Sequence, residues 1–178
     1  MEVLSFIFLF AAMVAVALWL YIVRQGDAEL EFLMDQRTDF KLEEQTGQTA
    51  AFSCNIPFVN KGSQDGTMMD CYPRHLLPEE QFDAVELVSR IELETRLRKD
   101  GYFEALIVPK TTGNAVILTL SFQAKSGDIT EAMADMVDMA VDIVFQVVGR
   151  SDWYITKQRL IVPADELARA LTAGYSEA

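Results

Sequence analysis

Thr49-Ala-Ala-Phe-Ser-Cys-Asn-Ile-Pro-Phe-Val-Asn60 is the stretch whose reading decides the fold class. Its even positions Ala50, Phe52, Cys54, Ile56 and Phe58 are apolar. A period of two puts them on one face of an extended chain, so the segment reads as a half-buried β-strand. Lys61-Gly-Ser-Gln-Asp-Gly66 follows with turn chemistry. Thr67–Arg74 then carries Met69 and Cys71 on one face. A hairpin centred between Gly62 and Ser63 sets Cys54 opposite Cys71, Ile56 opposite Met69 and Phe58 opposite Thr67. The apolar faces agree in that register, and a slip of one residue would invert them.

Downstream the same period recurs. After a connection bracketed by Pro73 and Pro78, Ala84–Arg98 reads as a third strand. Val85, Leu87, Ile91, Leu93 and Leu97 share one side; Glu86, Arg90, Glu92, Glu94, Arg96 and Arg98 share the other, which makes one face wet. Lys99-Asp-Gly101 is a hairpin turn signal, Tyr102–Val108 the returning strand, and Ala115–Ala124 a fifth strand. Asp128 can cap a short helix over 128–136, with Glu131 completing a capping box. Met139–Val148 is rich in β-branched residues and reads as a strand. Trp153–Val162 is the seventh, Pro163 ends it, and 164–173 forms a terminal helix. Seven strands joined mostly by hairpins, with one helical crossover, predict an all-β fold: a seven-stranded immunoglobulin-like antiparallel β-sandwich with short accessory helices.

Upstream lies a different regime. Val3–Val23 (VLSFIFLFAAMVAVALWLYIV) has no charge, and Ser5 is its only clearly polar member. As a helix it spans roughly 31 Å, about the thickness of a bilayer's hydrocarbon core, with Trp19 and Tyr21 where aromatics favour the interface. The run is long, begins after Met1-Glu2 without a basic region, and ends in bulky residues, so it reads as a single-pass anchor and not a cleaved signal peptide. The expected organisation is an anchor over 1–24, a polar acidic neck over 25–48, a sandwich over 49–163 and a C-terminal helix and tail over 164–178. Deleting Val3–Val23 is expected to release a soluble, folded domain. Arg24, Arg37 and Lys41 follow the span and no Lys or Arg precedes it, so the positive-inside count leans the domain to the cytoplasmic side.

The net charge is −12. Such a surface repels nucleic-acid backbones and anionic lipid. Cys54 and Cys71 are either a disulfide, if the domain sits outside the cytoplasm, or two small apolar residues of the core. With the single histidine, His75, they do not make a zinc centre, and no metal or cofactor is expected. Cys71 and His75 lack the geometry of a nucleophile and base. The acidic residues Glu131, Asp135 and Asp138 read as a solvated helix face. Arg74, His75, Leu76, Leu77 and Phe82 form the candidate contact surface; Leu-Leu-Pro there either packs under the sandwich or meets a partner.

The turn Val59-Asn-Lys-Gly62, followed by Gly66-Thr-Met-Met, resembles the first hairpin of membrane-tethered immunoglobulin-like domains and is similar to water-stress sandwiches. It identifies no family. Arg37-Thr-Asp-Phe-Lys41 and Asn60–Gly66 are the nearest strings to the two motifs of PilZ-like cyclic-dinucleotide sensors. They depart from them in a lysine for the second arginine and a turn one residue too long. Phosphate-loop, dinucleotide and serine-nucleophile motifs do not occur. The sequence therefore predicts a non-enzymatic membrane protein that binds a protein partner, with no nucleic acid or small molecule. The alternatives are a small-ligand or second-messenger sensor and a stress-protective sandwich.

Overall fold

The computed structural model describes residues 2–98 and 100–174. Lys99 of the expected 99–101 turn and the tail residues Tyr175–Ala178 lie outside the described residues, as does Met1. In chain order the elements are α1 (Glu2–Arg24), β1 (Leu30–Phe32), β2 (Lys41–Gln45), β3 (Thr49–Asn60), β4 (Gly66–Leu76), β5 (Val85–Leu93), β6 (Leu106–Val108), β7 (Gly113–Ala124), α2 (Ile129–Met133), β8 (Met139–Val148), β9 (Tyr154–Val162) and α3 (Ala164–Gly174). The strands form two antiparallel sheets packed face to face. In one, β1 and β2 both pair with β3, which pairs with β7 and then β5; the other runs β6-β4-β8-β9. The fold is an antiparallel, immunoglobulin-like β-sandwich.

All seven expected strands are present as β3 to β9, and the supposed neck supplies two more. Leu30 and Phe32 of β1 and Phe40 are buried, so residues 25–48 are not a polar neck but part of the sandwich. Phe32 stacks edge-on to Phe145 of β8 at 5.1 Å and lies 5.4 Å from Phe58 of β3, bridging the two sheets. Its backbone N–H donates to Gln158 Oε1 of β9. α3 belongs to the same body: Leu167 and Leu171 are buried. The Glu166 carboxylate takes a two-pronged ion pair from Arg37, at 2.8 and 2.5 Å, and also accepts the Phe40 N–H.

The expected hairpin between β3 and β4 does not form. β3 pairs with β7 across its whole length, Cys54 opposite Leu118 and Ile56 opposite Val116, while β4 pairs with β8 and β6 in the other sheet. Cys54 therefore does not oppose Cys71. From β3 to β8 the chain changes sheet at every connection, so hairpins are the exception. The face of β4 is also partly inverted. A bulge between Met69 and Tyr72, with Asp70 at φ 47°, shifts the alternation, so Met68 and Cys71 point inward in place of Met69 and Cys71. Such a bulge adds an unpaired residue and flips the side-chain order beyond it. β5 stops at Leu93, short of Arg98, and the returning strand shrinks to three residues. Glu92, expected on the wet face, is 6% exposed; it lies 3.3 Å from Arg90 Nε and accepts the Arg98 N–H. Asp128 does cap α2, accepting the Thr130 N–H at 2.7 Å, but α2 ends at Met133.

Where the chain crosses from β3 to β4, Asn60 is fully buried with its amide saturated. Nδ2 donates to the Gln64 and Val108 carbonyls, and Oδ1 accepts the Glu29 and Gly62 N–H groups. Asp27, just after α1, holds the β8–β9 turn. It accepts the N–H groups of Ala28 and Arg150 on Oδ1 and of Ser151 on Oδ2. The Ser151 side chain and these backbone groups hold its carboxyl down at about 2. Gly149 is required there, since a Cβ would lie 2.1 Å from Asp27 Oδ1. Arg150 in turn donates to the Ile22 and Gln25 carbonyls, both at 3.0 Å, and caps the end of α1. The apolar length of α1 is itself uncovered by the rest of the chain.

Candidate interaction surface

The residues singled out from the sequence do not share one surface. Arg74 and Leu76 lie on β4 and face outward, paired with Asp142 and Ala140 of β8. His75 turns inward to Ser89 of β5, its Nδ1 3.0 Å from the hydroxyl, and burial pushes its pKa down. Leu77 packs against the core, and Phe82 is 6% exposed within it. Phe82, His75 and Leu77 therefore leave the candidate surface, which corrects the reading of 74–82 as one contact loop. For His75 the physical reason is alternation, since neighbours on a strand point to opposite faces; Leu77 and Phe82 lie in the connection beyond β4, which folds its apolar side chains onto the core. Cys54 and Cys71 are free thiols, both buried. Burial raises the Cys54 thiol to about 12 and pushes Cys71 up further, so both are inert members of the core.

Arg74 and Leu76 instead join a larger feature, the outer face of the four-stranded sheet. On β8 the inward residues Val141, Ile143, Phe145 and Val147 are wholly buried. The outward ones, Ala140, Asp142, Val144 and Gln146, meet Ile161, Arg159, Lys157 and Ile155 of β9. Tyr72 of β4 sits beside Val144, and Ile107 of β6 beside Thr67. Tyr72, Ile107, Ile155 and Ile161 are all at least half exposed.

At the centre of this face Asp142 is only 1% exposed, although it points away from the core. It is roofed by cations. Lys157 Nζ donates to Oδ2 at 2.6 Å, and Arg159 donates from Nε to Oδ1 at 2.7 Å and from Nη2 to Oδ2 at 3.1 Å. The bonds from Arg159 and then Lys157 hold its carboxyl far below the usual range. Arg74 flanks the same carboxylate in register. Two cations bond one acid here and a third stands beside it in register, on a chain whose net charge is −12. The outer face of the other sheet is different. A shallow groove there is floored by Ser53, Thr119 and Ser121 and walled by Glu43, Glu44, Arg90 and Glu92.

Sequence reasoning put Asp142 on the strand Met139–Val148 and missed its partners. The available signal was Lys157-Gln-Arg159: two cations two apart on one strand must share a face. Among the described residues no group of three or more His, Cys, Asp or Glu is gathered to hold a metal.

No family model matches the chain, and no curated protein matches it. Among solved structures it is similar to the GAE domain of yeast GGA1, with 9% identity, 72% of this chain and 99% of that chain covered, and a TM-score of 0.36. The GAE domain of GGA2p from Saccharomyces cerevisiae gives 6% identity, 77% and 98% coverage, and 0.36. A FixG-related protein from Vibrio parahaemolyticus gives 12%, 75% and 94%, and 0.33. Similarity at this level assigns the chain neither ancestry nor activity.

Proposed function

We propose that this chain is a non-enzymatic, single-pass membrane protein whose sandwich docks an acidic protein partner through the outer face of its four-stranded sheet. The observation that carries the reading is the cationic crest of Lys157 and Arg159 over Asp142, with Arg74 beside it in register, set among exposed Tyr72 and Ile161. Solvation alone explains an acidic coat; it does not explain cations concentrated among large apolar side chains. Aromatic and arginine side chains in such a setting are what protein interfaces enrich. Opposite charge on the partner would speed and orient the encounter.

The anchor half of the reading rests on α1. It is a helix long and apolar enough to cross a membrane, and none of its apolar side chains is covered by the sandwich. A core helix would be covered. A tether of this kind raises the local concentration of the domain beside a partner in the same membrane.

The test is a gentle-detergent purification from native membrane of the wild type and of a Tyr72→Ser/Arg74→Ala double variant, which leaves the bonds from Lys157 and Arg159 to Asp142 in place. The expected result is a partner that accompanies the wild type, weakens with added salt, and falls at least severalfold with the variant while the fold is retained. Equal recovery with both proteins would overturn the surface assignment.

A further inference from the structure

The end of the sandwich nearest α1 carries a second exposed apolar group, separate from the cationic crest. Trp153 is 61% exposed and Ile155 62%. Trp153 directly precedes β9, and Ile155 lies on the outer face of that strand opposite Gln146 of β8. Ile107 belongs to the same end, since it pairs with Thr67, which pairs with Val148 at the last position of β8 before the turn.

Three observations assign an occupant. First, Arg150 of this turn bonds the Ile22 and Gln25 carbonyls, and Asp27 bonds the turn's backbone, so the turn is held beside the terminus of α1. Second, segments 24–29, 61–65, 109–112 and 149–153 at this end together carry as many Lys and Arg as Asp and Glu. The whole chain is at −12, so this end escapes the acidity of the chain at large. Third, Lys157 and Arg159 of the crest stand two and four residues beyond Ile155 on the same face, roughly 7 and 13 Å along the strand, so the apolar group is the part of this face nearest α1.

We infer that Trp153, with Ile155 and Ile107, rests in the headgroup–acyl boundary of the bilayer beside the end of α1, so that the sandwich lies against the membrane in one orientation. This rests on the reading of α1 as an anchor. Indole favours that boundary because its ring is apolar and its N–H needs a polar neighbour. Such a footing would hold Arg74, Lys157 and Arg159 clear of the lipid and turned to a partner.

The chain has two tryptophans, Trp19 and Trp153, and each reports one of the two readings. The full chain is reconstituted in phosphatidylcholine vesicles carrying a nitroxide lipid labelled near the headgroup. In a Trp19→Phe variant, Trp153 should lose most of its emission to the lipid quencher and little to aqueous iodide. In a Trp153→Phe variant, Trp19 reports whether α1 is in the bilayer. Quenching of Trp19 together with a Trp153 untouched by the lipid quencher overturns this inference alone. That holds whether iodide reaches Trp153, meaning water, or does not, meaning cover by protein. A Trp19 that lipid does not quench overturns the anchor reading, and this inference with it.

Discussion

Phe32→Ala is the substitution that separates a neck from a core. Were residues 25–48 a solvated linker, truncating one side chain there would change stability by less than about 0.5 kcal/mol, as at ordinary surface sites. In the structure Phe32 is 2% exposed and touches Phe58 and Phe145, one ring from each sheet. Removing roughly 130 Å² of buried ring at about 25 cal/mol/Å² costs about 3 kcal/mol. Losing two ring pairs adds about 1 kcal/mol. The total, about 4 kcal/mol, lies within the usual range for a buried Phe cut to Ala. For a domain of this size it corresponds to a fall in Tm of roughly 8–16 °C.

The assay is equilibrium unfolding of the full chain in a non-denaturing micelle, followed by near-UV circular dichroism. Val88→Ala, at a position 67% exposed, is the control and should be near neutral. A loss of less than about 1 kcal/mol for Phe32→Ala would refute the placement of β1 in the core. The same logic sets the boundary for truncation. A chain begun at Gln25 should fold, while one begun at Thr49 should aggregate, since it would uncover one edge of β3 and the rings of Phe58 and Phe145.

Three further outcomes are expected. Glu166→Gln should cost about 2 kcal/mol by weakening the charged bonds from Arg37 and Phe40. The Arg37 hydrogen bond holds the Glu166 carboxyl below its ordinary 4.5. Its contribution is therefore whole above that pH and is lost as pH falls through the native value, so the gap between wild type and variant should close in acid. Asn60→Ala should cost roughly 2–4 kcal/mol in urea unfolding, because it strands the buried partners of a saturated amide. A loss below about 0.5 kcal/mol would contradict its role at the crossing. Cys54 and Cys71 should resist iodoacetamide in the native chain near neutral pH and react on unfolding, with no change of Tm on adding a reductant. A lower Tm under reduction would show a bridge in place of two buried thiols.

Some elements were legible and others were not, for specific reasons. β3 and β8 have the ends expected of them, because each carries its own alternation over ten or more residues. β2 was silent: Lys-Leu-Glu-Glu-Gln at a sheet edge has no buried face, so it has no period to read. β1 is three residues long, too short to show one. The hairpin register failed even though the apolar faces agreed. Agreement of faces says that two strands look into the same core; strands in opposite sheets do so equally well. In the same way, Arg74 and Leu76 of the candidate surface could be picked from composition. The meeting of Asp142 with Lys157 and Arg159 could not, since the two cations lie fifteen and seventeen residues beyond the acid and reach it only through the β8–β9 register.

The chain alone therefore determines what is local: an apolar rod at its start, strands where the period is two, and one face of each strand that must be hidden. It determines the class of the fold as well, since that many half-buried strands have to close over a shared interior. Which strand lies beside which was left to the tertiary structure. Pairing is chosen by turns that cross between sheets, by the Asp70 bulge, and by polar ties such as buried Asn60 and half-buried Asp27, none of which leaves a period in the sequence. The cationic crest and the apolar foot beside α1 are products of that pairing, brought together by register and not by nearness along the chain.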